Sequence, residues 1–390
     1  MAAAQLIAER GTAGASARSI AALAGCAPSA INYNFGGLEQ LFRAAFDQGL
    51  VRARAWLAVR RDEIAALPQT PQGAPLALEH LIIQWTRAAR PLALLYQEGL
   101  AANGGASGWT ALWRDFWLET APRFGLGEVE GRLLHLIFEA EALYHLSTWS
   151  PALEHAALRE ICGHLGEVWL GAGPAAARGA LAQAERSAGV INADAIAPAA
   201  AKVAEAAASV IEERGVGGLT HRAVAARAGV TTGAVTHHFR TVEDLVAGAI
   251  RGQVLALAKR ASLGSGATGS PLDGITTAAE FAAMIRGFVI EGRGSVRRID
   301  RRGLFLAAVR RPEMVGAGAV IRFAHGATTR GGLARVFGLR EPELTLNAGL
   351  LSRLLSSVQI VCADEASPPE LGPMLVDESV GRMAAFLKVR

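Results

Sequence analysis

Apolar residues recur along most of the chain at spacings of three and four positions, which predicts amphipathic helices, whereas the alternation typical of strands is scarce. Near the start, Ile20, Ala21 and Ala24 follow this spacing between Ser16 and Gly25. A hydroxyl before a helix accepts from its free backbone amides, and a glycine behind it favours the left-handed turn that ends a helix. The pattern predicts an all-α fold with a short, well-delimited helix at this position.

The same pattern occurs a second time in the chain. Residues 3–46 recur at 207–250, shifted by 204 positions without a gap, with 17 identities over 44 aligned positions. The repeated helix carries Val224, Ala225 and Ala228 between Thr220 and Gly229. A repeat of this length indicates a duplication and constrains the fold more than any single motif.

A further short helix follows in each copy after one or two residues. Its apolar anchors, expected to face inward, are Ala30, Ile31 and Phe35 in the first copy and Ala234, Val235 and Phe239 in the second. The outward positions between them are Ser29, Asn32, Tyr33 and Asn34, or Thr232, Thr236, His237 and His238. Most of these side chains can donate to and accept from base edges or phosphates. Each copy therefore predicts a helix-turn-helix in which the third helix of the copy, the one after the turn, faces DNA.

The run from Thr220 to Leu245, which contains Thr-Thr-Gly-Ala-Val-Thr-His-His-Phe, resembles the DNA-binding domain of the TetR family of bacterial transcriptional regulators. The resemblance implies an arginine contact at the start of the second helix and polar contacts from the third. Carried over, the DNA-binding residues are Arg18, Ser29, Asn32, Tyr33 and Asn34 in the first copy and Arg222, Thr231, Thr232, Thr236, His237, His238 and Arg240 in the second. The family's usual lysine after the aromatic residue is missing from both copies. Ala27 cannot cap the third helix as Thr231 can, so we expect weaker binding by the first copy.

The resemblance implies two TetR-like copies, each a three-helix DNA-binding domain followed by a helical domain for ligand binding and dimerisation. The predicted domains are residues 1–46 and 47–172, a linker at 173–197, and residues 198–250 and 251–390. Four helices at about 129–147, 153–170, 342–363 and 369–388 are expected to form a four-helix bundle within one chain. The chain would then be an intramolecular pseudo-dimer, and further self-association stays open. An extra helix is expected at about 175–187, and a Gly/Ser-rich insertion at 263–274.

Charge and cysteine content add further constraints. Residues 1–195 hold 15 Arg and no Lys against 18 Asp plus Glu, a net charge of −3, so the remainder of the chain carries +7 of the total of +4. Cys26, Cys162 and Cys362 lack the spacing of metal ligands, which predicts reduced thiols and a cytoplasmic protein. No apolar run reaches the length of a membrane span, so no membrane association is expected. No metal and no cofactor are expected.

The larger helical region of the first half is rich in aromatic residues. All seven Trp and all three Tyr lie in the first half. Several of them fall in the segment where TetR-like proteins bind their effectors. Either they pack an ordinary core or they line a cavity for an apolar or aromatic small molecule. In the second interpretation the ligand-binding residues are Trp85, Tyr96, Glu98, Trp113, Trp117, His135 and Phe138.

The corresponding part of the second half is dense in arginine. Its members are Arg293, Arg297, Arg298, Arg301, Arg302, Arg310 and Arg311. They form an anion site, pair with acidic residues of the first half across an internal interface, or cover a solvated helix face.

No catalytic motif is recognisable, so the chain is not expected to be an enzyme. The preferred function is a sequence-specific transcriptional regulator, a repressor that binds a double-stranded DNA operator with two unlike half-sites and is released by a small-molecule effector. One alternative is a regulator in which only the second copy contacts DNA. Another, of a different class, is a helical interaction or scaffold protein.

Overall fold

The computed structural model describes residues 1–101, 107–175, 178–190, 197–214, 216–263, 274–290, 298–323, 326–362 and 367–389. Within these ranges the regular structure is helical, without a strand, and the predicted all-α class is confirmed. None of the helices described there is long and apolar enough to cross a membrane. The same ranges hold no cluster of three or more His, Cys, Asp or Glu side chains suited to a metal ion.

Ten helices extend from the start of the chain through the joint between the halves. They are α1 (Ala2–Gly14), α2 (Ala17–Ala24), α3 (Ser29–Phe35), α4 (Leu38–Ala65), α5 (Gly73–Ile83), α6 (Arg90–Ala101), α7 (Ser107–Thr120), α8 (Glu128–Tyr144), α9 (Pro151–Trp169) and α10 (Ala180–Val190). A π-helical turn at Gln84–Ala88 links α5 to α6. Gly11 takes a left-handed conformation with φ 75°, which breaks the helical geometry within α1.

Ten further helices make up the second half. They are α11 (Pro198–Arg214), α12 (His221–Ala228), α13 (Thr232–His238), α14 (Val242–Leu263), α15 (Ala278–Val289), α16 (Arg298–Val309), α17 (Val315–Phe323), α18 (Ala327–Phe337), α19 (Glu343–Val361) and α20 (Leu371–Val389). The Gly/Ser-rich segment predicted at 263–274 lies almost entirely outside the described residues.

The short helices begin and end where the local signals predict. The Ser16 hydroxyl accepts from the Ser19 amide at 3.1 Å and caps α2. The Thr220 hydroxyl accepts from the Ala223 amide at 3.1 Å and caps α12. Both helices then end at a left-handed glycine, Gly25 with φ 68° and Gly229 with φ 65°. Because these signals depend only on neighbouring residues, they could be read without knowledge of the fold.

The last two helices of each half pack together as a four-helix bundle formed by α8, α9, α19 and α20. Polar contacts join its two sides. The Trp169 indole N–H donates to the Ser379 carbonyl at 3.1 Å, and His164 Nε2 lies 3.0 Å from Asn347 Oδ1. Arg382 on α20 donates to Glu130 on α8 at 2.6 Å. The large helical regions of the two halves therefore share one interior.

The extra helix of the joint is present, but α10 begins five residues later than predicted. Glu160 of α9 fixes its start, because its carboxylate accepts from the Gly179 amide at 2.6 Å and the Leu181 amide at 2.7 Å. An acceptor of this kind satisfies the free amides at a helix N-terminus. Since α10 also packs on α17 and α19, it lies against the second half as well as the first.

A buried charged cluster lies where the two halves meet. Glu141 of α8 accepts from Arg353 of α19 and, at 3.3 Å, from Arg322 of α17, and all three side chains are at most 1% exposed. Arg322 also lies 3.9 Å from the Glu154 carboxylate. Burial alone would raise the pKa of Glu141, but the guanidinium groups of Arg353 and Arg322 outweigh it and the pKa lies below its ordinary value.

Two residues of the arginine-dense segment also bind the first half. Arg302 of α16 donates to Gln97 and lies 4.0 Å from the Glu139 carboxylate, while Arg310 lies 2.7 Å from Glu98. Of the three interpretations of this segment, Arg302 and Arg310 therefore follow the one in which they pair with acidic residues of the first half. Arg311 instead donates to the carbonyl of Ala307 in its own helix. Residues 293 and 297, and the side chains of residues 298 and 301, lie outside the described part.

Candidate nucleic-acid interface and aromatic cluster

The helix of the first copy that is predicted to face DNA, called its reading helix below, is α3. Its predicted contact residues, Ser29, Asn32, Tyr33 and Asn34, are all exposed, and Tyr33 reaches 90% exposure. Ile31 beneath them is buried and anchors the helix. Asn34 donates its amide to the Ala30 carbonyl at 2.8 Å, which leaves its side-chain oxygen as an acceptor. Arg18, at the start of α2, is exposed as well.

The reading helix of the second copy is α13. Thr231 caps it by accepting from the Ala234 amide at 3.2 Å, whereas α3 has no side-chain cap, as the sequence predicts. The predicted contact residues of this copy are all exposed; they are Arg222, Thr231, Thr232, Thr236, His237, His238 and Arg240. The Thr236 hydroxyl donates to the Thr232 carbonyl at 3.0 Å, and Val235 is buried beneath.

The expectation that Phe35 faces inward is wrong. Phe35 is 42% exposed, whereas its counterpart Phe239 is 9% exposed. In the second copy α13 stops at His238, and Phe239 adopts an extended backbone that directs its ring against Gly248. A Cβ at position 248 would lie 2.7 Å from Phe239 Cε1, and the first copy has Ala44 at the aligned position.

The local chain path also differs after the two aromatic residues. In the first copy α3 includes Phe35 and ends at Gly36, with φ 77°, followed by Gly37 with φ 149°. These glycines allow a left-handed exit that Arg240 and Thr241 would adopt only with strain. The ring of Phe35 therefore remains at the surface of the domain that contains α1, α2 and α3, called the first reading head below.

The aromatic residues of the first half form one packed cluster. Trp113 contacts Phe138, with ring centroids 3.7 Å apart, and lies 5.1 Å from Trp85. Trp117 is 6.1 Å from Phe138, and Tyr96 is 6.2 Å from Trp85. The structure thus brings together five of the predicted ligand-binding residues. Each of these five side chains is fully buried.

Several polar atoms within this cluster have no hydrogen-bond partner among the described residues. They are the indole nitrogens of Trp85, Trp109, Trp113 and Trp117, the amide nitrogen of Gln97, both ring nitrogens of His135, and Glu139 Oε2. A buried donor without a partner costs about 1–3 kcal/mol, and native proteins hold few of them.

Tyr96 and Glu139 form the polar centre of the cluster. Burial and the adjacent Glu139 carboxylate raise the pKa of Tyr96 well above its ordinary value, so the phenol stays protonated and donates to Glu139. His135 Nε2 lies 3.4 Å from the same carboxylate. Arg302 of the second half also faces Glu139, at 4.0 Å. The second half therefore reaches the polar centre of the aromatic cluster.

Glu98 has a different set of contacts from the other predicted ligand-binding residues. Its carboxylate accepts from the backbone amide of Thr12 at 3.0 Å, from the Thr12 hydroxyl at 3.1 Å and from Arg310 at 2.7 Å. Arg310 also donates to the carbonyls of Ile7 and Ala8. Glu98 and Arg310 thus connect the break in α1 to the helical regions of both halves.

Trp56, Arg322 and Arg353 belong to these clusters although no local pattern in the sequence marks them. Trp56 packs against Trp85 with ring centroids 5.1 Å apart and the rings tilted by 56°, and so extends the aromatic cluster towards α4. The membership of the two arginines in the charged cluster depends on contacts between distant residues. The opposite net charges of the two halves were the one signal that pointed to such pairing.

Two exposed reading helices, each supported by a capped helix before it, define a DNA-binding transcriptional regulator. A family model described as bacterial regulatory proteins, tetR family, matches residues 1–45 and again residues 203–249. The chain therefore carries the DNA-binding domain of the TetR family twice. Comparison with curated proteins finds no match.

Proposed function

We propose that the chain is a repressor that acts as an intramolecular pseudo-dimer on an operator with two unlike half-sites. The observation that carries this proposal is the difference between the two exposed surfaces. The first reading helix offers Asn32, Tyr33 and Asn34, whereas the second offers Thr236, His237 and His238 at the aligned positions. Unlike side chains at equivalent positions favour unlike base sequences.

The internal packing supports the pairing of the two copies. The four-helix bundle of α8, α9, α19 and α20 joins them in the way that a dimer interface joins two subunits. In this arrangement residues 1–46 and 198–250 are the reading heads, 47–172 and 251–390 the regulatory domains, and 173–197 the linker. The heads would enter major grooves on one face of the duplex, about 34–36 Å apart or a multiple of that distance.

A small-molecule effector would bind in the aromatic cluster. The unpartnered indole donors, together with His135 and Glu139, favour an aromatic or apolar molecule that carries hydrogen-bond acceptors. The rings of Trp113 and Phe138 must separate to admit it, since they are in contact. That movement would be transmitted through Arg302 to the second half and would change the separation of the reading heads. The coupling free energy between effector binding and DNA binding is typically about 1–3 kcal/mol for such release.

The first test is selection of bound fragments from a random DNA pool, followed by footprinting of the best site with single variants. Arg18→Ala is expected to remove protection of one half-site and Arg222→Ala that of the other, while Arg123→Ala, an exposed arginine of the regulatory region, leaves both. Loss only with Arg222→Ala would instead support a regulator in which the second copy alone contacts DNA. No enriched site would overturn the proposal and favour a scaffold protein.

The effector site has its own test, in which aromatic carbonyl compounds are screened for release of the selected DNA. We expect Trp117→Phe, which removes one unpartnered donor, to weaken the response to an active compound at least fivefold. Trp169→Phe is the matched control, because its indole already donates to Ser379 outside the cluster. Equal loss in both variants would contradict the assignment. The proposal places the protein in the cytoplasm and assigns it no reaction.

A further inference from the structure

A groove of about 1160 Å³ lies between the first reading head and part of the regulatory helices. Its walls come from α1, from α2 and α3 of the reading head, from α4, and from residues 88–95 at the start of α6. Most of the lining side chains are apolar, among them Ile31, Phe35, Leu41, Leu92 and Leu95. A cavity of this size accommodates a drug-sized molecule.

The groove arises from differences between the two copies. Phe35 and Ala44 both line it, while their counterparts Phe239 and Gly248 pack against each other. Further along α14, Gly252 lies directly against the backbone of Ala204 in α11. The aligned residue of the first copy is Gln48, which lines the groove. Helices that are in close contact in the second copy thus enclose an apolar space in the first.

Cationic side chains lie beside this apolar surface. Arg52 of α4 and Arg90 of α6 both line the groove, and Arg52 is exposed. Among the described residues neither has a carboxylate within 4.0 Å; Arg90 donates to the Leu146 carbonyl, and Arg52 contacts the sulfur of Met1. Glu9 is the one acidic residue in the lining. A guanidinium beside an apolar surface and without an anionic partner favours binding of a carboxylate or phosphate group.

We propose that this groove binds an anionic amphiphile, a molecule with an apolar chain and a carboxylate-type head, and that it acts on the first reading head. The chain packs against Phe35, Ile31 and the leucines of α6, and the head is bound by Arg52 and Arg90. The occupant touches α3 itself, so it biases the orientation of this head directly. The site differs from the aromatic cluster, although Trp56 lines the groove and packs against Trp85.

Calorimetric titration of the full chain with decanoate and with decan-1-ol tests the site, because the two probes share a chain length and differ in charge. We expect saturable binding of decanoate, at least tenfold tighter than that of decan-1-ol. The double variant Arg52→Gln and Arg90→Gln should weaken binding of decanoate at least tenfold and remove the preference for decanoate over decan-1-ol. Arg54→Gln, an exposed arginine of the same helix outside the groove, should stay within twofold.

A second pair of variants tests the location independently of charge. Ala88 lines the groove and is exposed, so Ala88→Phe should obstruct it and weaken both probes at least fivefold. Ala58→Phe, on the outer face of α4, should leave both unchanged. Absence of saturable decanoate binding, equal affinity for decan-1-ol, or unaltered binding in Ala88→Phe would each overturn the proposal. Circular dichroism of every variant separates loss of the site from loss of the fold.

The effect on DNA rests on the proposed function and is measured separately. With a selected operator, decanoate should change protection of the half-site that depends on Arg18 and leave the half-site that depends on Arg222. If decanoate binds in calorimetry while neither half-site is protected at all, the regulator proposal fails and the groove stands. If the operator is protected and calorimetry shows no binding, the groove assignment fails alone.

Discussion

The two halves of this chain descend from one sequence, yet their helical regions have opposite chemistry where they meet. The first half supplies carboxylates, such as Glu141, and the second supplies Arg322 and Arg353. Phe124-Gly-Leu before α8 recurs as Phe337-Gly-Leu before α19, an offset of 213 residues, and at this offset Arg353 matches Ala140 and Leu354 matches Glu141. Each half therefore carries a charge where the other is apolar. Pairing of two like halves would bury these charges without a partner of opposite sign, which is strongly unfavourable.

The reading heads diverged in a different manner. In the second head Phe239 is buried and the helix is capped by Thr231, whereas in the first Phe35 is exposed and the cap is missing. The core of the first head is continuous with the regulatory core of both halves, while the second head forms a smaller cluster with α14 and α16. The comparison indicates that the first head depends more on its neighbours for its position.

The largest effect is expected at the buried charged cluster. Glu141→Gln leaves two buried guanidinium groups without their carboxylate, so we expect a loss of about 3–5 kcal/mol in the free energy of unfolding. Urea denaturation followed by circular dichroism measures it. The control is Arg159→Gln, because Arg159 is 71% exposed where it pairs with Glu79 and such a pair is worth less than about 1 kcal/mol. A loss for Glu141→Gln no greater than that of the control would show that the cluster does not hold the halves together.

The next effect concerns the slot that receives Phe239. Gly248→Ala places a Cβ against the ring and should destabilise the second head by about 1–3 kcal/mol, as overpacking does. The mirror variant, Ala44→Gly, removes the obstruction in the first copy and should cost no more than about 1 kcal/mol, the helix propensity of glycine. Hydrogen exchange of α13 and α3 measures both. Equal losses would mean that the slot does not explain the exposure of Phe35.

Acid should weaken the first regulatory domain. Burial, followed by the charges of Arg322 and Arg87, lowers the pKa of His145 to about 2, so the folded protein keeps this ring neutral. In the unfolded chain the ring takes up a proton below about pH 6.5. The contribution of His145 to the free energy of unfolding is therefore fully present above that pH. It falls as the pH decreases, by about 2 kcal/mol at pH 5.

Urea denaturation between pH 7.5 and pH 5 checks this expectation. His145→Asn, which cannot be protonated, should lose this part of the pH dependence. His237→Asn, an exposed histidine of the second reading helix, should keep it. The same pH slope in wild type and His145→Asn would assign the acid sensitivity to other groups.

The smallest effect distinguishes the helix caps. Thr231→Ala removes the hydroxyl that accepts from the Ala234 amide and should cost about 1 kcal/mol in local stability of α13. Ala27→Thr, the aligned change in the first copy, should instead slow amide exchange in α3. If the first substitution leaves exchange in α13 unaltered, the difference in capping does not distinguish the heads.

Part of the candidate site could be predicted because its signals are local. Caps at Ser16 and Thr220, left-handed glycines behind α2 and α12, and the periodic anchors Ile31 and Val235 all act within a few residues. The outward positions of the reading helices follow from the same periodicity. For the aromatic cluster, the segment was predictable from composition, but which rings meet was not.

The prediction for Phe35 failed because burial of that ring depends on a residue of the next helix. The gapless alignment already pairs Ala44 with Gly248, but only the packed structure shows that this position faces the ring. Glu98 fits a polar anchor by composition, yet its carboxylate binds Thr12 and Arg310. Contacts between residues so far apart in the chain leave no periodic signal.

The sequence by itself determined the duplication, the helical class, the two helix-turn-helix units and their exposed polar residues, because hydrophobic periodicity and capping act over short stretches of chain. The tertiary structure alone decided how the halves meet. It placed Glu141 between Arg322 and Arg353, the Glu98–Arg310 pair at the break in α1, and the groove beside Phe35. These features depend on shape and charge complementarity between helices that are distant in sequence, and such complementarity exists only once the helices pack.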